Sequence, residues 1–202
     1  MIDRVLDSIL TSLQQAIDER GFATLALAGG TTLTEVVHQL AGALSPEDLA
    51  HLHLFWVDER CAPRGSPERN DTSTLATWKA AGPLPAFIHP MPAETKDAAG
   101  YARTIQEVCG GILDCAVLGI GPDGHLASLF PGHPALAMTD PVLLIKDSPK
   151  PPACRLTMSI SLLKRCRNLI IVASTKLRKS QLYSVTGPVS NFSSAELYCL
   201  ED

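Results

Sequence analysis

Along this chain, stretches with apolar residues every three or four positions alternate with short continuous apolar runs, the pattern of amphipathic helices laid against strands buried on both faces. Ile2, Val5, Leu6, Ile9, Leu10, Leu13, Ala16 and Ile17 share one helical face over 2–19, and Arg20-Gly21 ends that pattern. A strand follows at 23–28, then a helix over 32–44 with Leu33, Val36, Val37, Leu40 and Ala41 on one side. Ser45-Pro46-Glu47-Asp48 opens a short turn or helix, and 53–57 reads as a second strand with Asp58-Glu59-Arg60 at its carboxyl end. The pattern then predicts helices over 72–82 and 95–110, a short strand at 86–90 and a buried strand in LDCAVLGIG (113–121). Further strands are expected at 141–146, 155–159 and 169–173, with a short helix over 161–167. Such alternation predicts an α/β fold, a three-layer, Rossmann-like arrangement of an open, mostly parallel sheet flanked by helices. With 202 residues, 46% of them hydrophobic, and no internal repeat or low-complexity linker, one domain over 1–202 is expected.

Chemistry concentrates first in LGIGPDGHLASLFPG (118–132), where a buried run meets a glycine loop carrying Asp123 and His125. Histidine titrates near neutrality and can take and return a proton, so His125 is the first candidate acid–base group. Glycines beside it let backbone N–H groups approach a ligand. LASLF is expected to start a helix whose free N–H groups would favour an anion. An isolated D-G-H would be read as a tight turn; the surrounding loop favours a site.

Two other strand ends offer complementary groups. AGGTT (28–32) sets Gly29, Gly30, Thr31 and Thr32 before a helix, which suits a phosphate through backbone donors, although a turn with Thr31 or Thr32 as cap is equally compatible. It matches neither a dinucleotide-binding glycine motif nor a P-loop. Arg60, beside Asp58 and Glu59, carries a fork suited to phosphate or carboxylate. Arg155 after the Pro-rich loop PKPPA, and Lys176 after the last strand, are further cations at element ends.

Charge narrows the partners. The formal net charge of −4 and the lack of a basic tract argue against nucleic acid, leaving a small molecule. No apolar stretch approaches a membrane span, and the start MIDRVLDSIL lacks a basic region before an apolar one, so a soluble, cytoplasmic protein is expected. Six scattered cysteines form no C-x-x-C pair or zinc-spaced cluster and read as reduced thiols. His51 and His53 would share a strand face, but no third metal ligand stands nearby.

Taken together, these segments resemble 6-phosphogluconolactonases of the glucosamine-6-phosphate isomerase/6-phosphogluconolactonase family. LGIGPDGHLASLFPG resembles the family's D-G-H loop followed by A-S-L-F-P, AGGTTL its S-G-G-S-T-P, and FWVDERCAP its W-x-D-E-R-x-V-P. Asn70 sits where a downstream S-N pair ends, PPACRLT resembles P-P-x-x-R-x-T, and IIVASTK resembles a late strand before a lysine. The resemblance implies a fold similar to glucosamine-6-phosphate deaminase and hydrolysis of 6-phospho-D-glucono-1,5-lactone without metal or organic cofactor. It implies His125 as base, Asp123 or Asp58 orienting it or binding hydroxyls, and substrate contacts from Gly29, Gly30, Thr31, Thr32, Arg60, Asn70, Gly124, Arg155 and Lys176.

The chain departs from the pattern at Ala28 for serine, Leu33 for proline, Arg69 for serine and Ala173 for glycine. The deaminases resemble it in the D-G-H loop but continue I-A-F-N-E-P, and the glutamate's position here is Phe130, which cannot transfer a proton. A sugar-phosphate-binding protein without turnover is the remaining alternative.

Overall fold

The computed structural model describes residues 1–174 and 187–200. The predicted alternation is present: α1 (Ile2–Arg20), β1 (Ala23–Leu27), α2 (Thr34–Ala43), α3 (Pro46–Ala50), β2 (Leu52–Trp56), β3 (Asp58–Arg60), α4 (Asn70–Ala81) and β4 (Phe87–His89). There follow α5 (Ala98–Cys109), β5 (Cys115–Gly119), β6 (Val142–Ile145), β7 (Arg155–Met158), α6 (Ile160–Leu163), β8 (Asn168–Ser174) and β9 (Glu196–Leu200).

Six strands form one sheet in the order β4-β2-β1-β5-β8-β9, and every neighbouring pair is parallel. All five residues of β1 are buried, which explains why its sequence is a run rather than an alternation. Val5, Ile9, Leu13 and Ala16 form the buried stripe of α1. That helix ends where Gly21 turns left-handed, with φ 79°, and donates its N–H to Ile17 O. Ser45 and Asp48 close a capping box on α3, with Pro46 in its first turn.

A second sheet of β3, β7 and β6 is antiparallel and was not foreseen in the hydrophobic pattern. Val57 joins the two sheets: its N–H donates to Leu27 O of β1 (3.0 Å) and its carbonyl accepts from Met158 N at the end of β7 (2.8 Å). Asp58-Glu59-Arg60 is therefore a strand of its own, not the tail of β2.

Other boundaries differ for local reasons. The helix expected over 72–82 begins at Asn70, because the Glu59 carboxylate accepts the N–H groups of Asn70 (2.7 Å) and Asp71 (2.8 Å) and so caps it from outside. The helix expected from 95 starts at Ala98, with Asp97 accepting from Gly100 N (2.8 Å). The helix expected over 32–44 opens with a 3-10 turn, Thr31–Leu33, and neither threonine side chain caps it. The short helix expected over 161–167 is Ile160–Leu163. β9, which the pattern did not predict, lies at the sheet edge with only half-buried and exposed side chains.

Candidate active site

Parallel register aligns the carboxyl ends of three strands, with Leu27 opposite both Trp56 and Val117, so the loops after β1, β2 and β5 meet above the sheet. Among the residues lining the cleft they form, of about 190 Å³, are Gly29, Gly30, Thr31, Thr32, Asp58, Arg60, Asn70, His125 and Arg155. Nine expected site residues are thus brought together. Asp123 lies behind His125 rather than in the cleft lining, Gly124 is buried in the turn with φ 85°, and Lys176 lies outside the described residues.

The expected helix after His125 does not form. Gly121 N donates to His125 O (2.9 Å), Gly124 N to Gly121 O (2.9 Å), and Leu126 and Leu129 exchange backbone hydrogen bonds across a turn in which Ala127 has φ 53°. Anion binding by a helix N-terminus at this loop is therefore withdrawn. The turn serves instead to aim side chains: His125 faces the cleft, and the Ser128 hydroxyl donates to Asp58 Oδ2 (2.7 Å).

Asp123 Oδ1 accepts a short hydrogen bond from His125 Nδ1, which leaves Nε2 as the basic nitrogen. On its other side, the Lys150 ammonium contacts Asp123 Oδ2 at 3.0 Å. Partial burial pushes the Asp123 carboxyl up, but the hydrogen bonds from His125 and Lys150 outweigh it and hold it down at about 2. Phe130 stacks on the imidazole at 4.8 Å between centroids and supplies no proton-transferring group.

Asp58 is nearly buried and is held by Ser128 and by Asn70 Nδ2 (3.2 Å), which also donates to the Asp58 carbonyl (2.8 Å). Gly29 packs so closely on Asn70 that a β-carbon there would overlap its amide. Arg60 Nη1 donates to Glu68 O (2.7 Å), while its buried Nε has no hydrogen-bond partner among the described residues.

Arg155 lines the cleft as expected, but its donors are engaged by backbone carbonyls. Its Nε donates to Pro152 O (3.1 Å) and Nη2 to Pro151 O (3.0 Å) and Lys150 O (3.3 Å). Burial lowers its pKa, opposed by the nearby Asp58 carboxylate and reinforced by Arg60. Sequence reasoning missed Lys150, Ser128 and the buried Glu59–Arg69 pair behind the site (3.8 Å). No local sequence signal marks them, since each is set by a partner distant along the chain.

His53 does not join a metal cluster. Its Nδ1 is 2.9 Å from Nε2 of His89, and among the described residues no group of three or more His, Cys, Asp or Glu is arranged to hold a metal. No helix among the described residues is long and apolar enough to cross a membrane.

Comparison with known proteins agrees with this arrangement. The profile of the glucosamine-6-phosphate isomerases/6-phosphogluconolactonase family matches residues 1–194. A 6-phosphogluconolactonase of Synechocystis is 33% identical over 199 residues, covering 93% of this chain and 81% of that protein. The human GDH/6PGL endoplasmic bifunctional protein is 32% identical over 190 residues, covering 89% of this chain, which spans only 24% of that much longer protein. The crystal structure of a 6-phosphogluconolactonase from Thermotoga maritima superposes with a TM-score of 0.84 at 23% identity, over 100% of this chain and 95% of that one. This chain belongs to the glucosamine-6-phosphate isomerase/6-phosphogluconolactonase family.

Proposed function

We propose that this protein hydrolyses 6-phospho-D-glucono-1,5-lactone to 6-phospho-D-gluconate, with His125 Nε2 as the base that activates water. The observation that carries the reading is the Asp123–His125 pair at a cleft that also holds Asp58, Arg60, Asn70 and the Gly29-Gly30 loop. The name of the Synechocystis relative agrees with it.

In this mechanism the Asp123 carboxylate fixes the proton on Nδ1, so Nε2 draws a proton from water as its oxygen attacks the lactone carbonyl. The carbonyl oxygen gains negative charge, which backbone N–H groups of Gly29 and Gly30 are suited to stabilise. Asp123 stabilises the imidazolium. When the ring C–O bond breaks, Nε2–H returns the proton to the departing oxygen, giving an open-chain acid and a regenerated base. Thr31, Thr32 and Arg60 supply the phosphate with donors and positive charge, and Asp58 with Asn70 supplies partners for sugar hydroxyls.

Fresh lactone produced from glucose 6-phosphate by an added dehydrogenase provides the test, because the lactone also opens spontaneously. The purified protein is expected to raise the rate above that background, and His125→Ala to return it close to background. Release of ammonia from glucosamine 6-phosphate, with no effect on lactone opening, would overturn the proposal.

A further inference from the structure

Lys150 belongs to the loop between β6 and β7, far along the chain from the D-G-H turn, yet its ammonium lies 3.0 Å from Asp123 Oδ2 and 3.4 Å from His125 Nδ1. It is not among the residues lining the cleft. The loop that carries it is held from both ends. Ser148 Oγ donates to Lys150 O (2.9 Å) and accepts from Lys150 N (3.3 Å), while Arg155 donates to the carbonyls of Lys150, Pro151 and Pro152. A buried guanidinium that spends its donors on three successive carbonyls fixes a backbone.

We infer that Lys150 is a positioning residue for the hydrolysis: its ammonium anchors the outer oxygen of Asp123, the inner oxygen stays on His125 Nδ1–H, and Arg155 holds the loop in place. The inference rests on the lactonase reading above. A carboxylate has two oxygens, and one hydrogen bond leaves it free to swing; a second charged donor on the other oxygen removes that freedom. The same ammonium opposes a second positive charge on the adjacent imidazole. The other charged groups facing the cleft are Asp58, Arg60 and Arg155, and Asp147 on the Lys150 loop is engaged by His133 Nε2 (3.1 Å). None of these contacts Asp123 in place of Lys150.

The test compares wild-type protein with Lys150→Met and Lys150→Arg, measuring kcat and KM for fresh lactone across pH. For Lys150→Met, kcat is expected to fall by about ten- to a hundredfold with KM within about twofold of wild type. The acidic limb of kcat should move to higher pH, and Lys150→Arg should recover most of both changes. A raised KM with unchanged kcat and limb would overturn the inference and make Lys150 a substrate ligand; so would a variant indistinguishable from wild type. Proton NMR titration of His125 reads the same point without turnover: a higher imidazole pKa in Lys150→Met supports the positioning role, and an unchanged one overturns it. A wild-type protein with no lactonase activity would sink the functional reading alone, because the titration still reports on the Lys150–His125 coupling.

Discussion

The imidazole of His125 fills the space that a β-carbon on Gly121 would occupy, with three ring atoms inside contact range of that position. Gly121 N–H also donates to His125 O, so backbone and ring are both drawn against the same glycine. Gly121→Ala should therefore push the ring out of line with Asp123 and the cleft. The overlap involves a side chain that can rotate, so the fold should lose little stability. A displacement near 1 Å at a base is worth about a hundredfold in rate. Steady-state kinetics together with urea unfolding checks both halves: a large fall in kcat with a nearly unchanged unfolding midpoint is expected.

Asp58 and Ser128 are seventy residues apart in sequence and joined by one hydrogen bond of 2.7 Å in a buried setting. In Ser128→Ala the carboxylate keeps Asn70 but loses its donor on Oδ2. Hydrogen bonds to charged groups contribute about 1.5–3 kcal/mol, so a loss of that order is expected in urea titrations near neutral pH. Because the Asp58 carboxylate also faces the cleft, KM should rise. A variant as stable as wild type would show that water or a shifted Asn70 replaces the hydroxyl.

Arg69, which stands where the family pattern has serine, is fully buried and holds a cluster of acids. Its guanidinium donates to Asp71 (2.6–3.1 Å), Glu94 (3.0 Å) and the carbonyls of Ala62 (3.2 Å) and Met91 (2.9 Å). Glu59, 3.8 Å away, is pushed up to about 7 by burial, against the hydrogen bonds from Asp71, Asn70 and Arg60 that pull it down. Returning the position to the family residue, Arg69→Ser, should destabilise this protein by about 3–5 kcal/mol, since several buried acceptors lose their shared donor. Thermal and urea unfolding test this; a neutral result would mean that Glu59 and Asp71 repack or take up protons without cost.

How far the sequence showed the fold depended on burial. β1, β5 and β8 were legible because parallel strands covered on both faces are written as apolar runs. β3 was not, since a three-residue strand spelling Asp-Glu-Arg carries no periodicity, and its place is set by Val57 turning from one sheet to the other. His125, Asp58, Arg60 and Asn70 were legible from the loops they occupy. Lys150 was not, because nothing local in a proline loop tells a solvated lysine from one held against a distant carboxylate. The false helix after His125 has a similar origin: Leu126, Ala127 and Leu129 are apolar because the turn is buried, not because it is helical.

His53 and His89 hold their rings nearly parallel on neighbouring strands, with Nδ1 and Nε2 2.9 Å apart, so one ring donates and the other accepts a single proton. Burial lowers the pKa of both, and for His89 the neighbouring His53 lowers it further. In the unfolded chain each titrates near 6.5, so on acidification the unfolded state binds protons that the folded state resists. Their contribution to stability is therefore fully present above about pH 6.5 and is lost as pH falls through and below that value. Glu59 acts oppositely in an overlapping window: its raised carboxyl binds a proton more readily in the folded state, and stability from it falls as pH rises from about 4.5 toward 7. A difference measurement separates the two. His53→Asn/His89→Gln keeps polar groups on both strands but removes both titrations, and its unfolding free energy between about pH 7.5 and 5.5 should decline less on acidification than that of wild type. Equal slopes would mean that the pair opens to solvent and takes up both protons without loss of folded contacts.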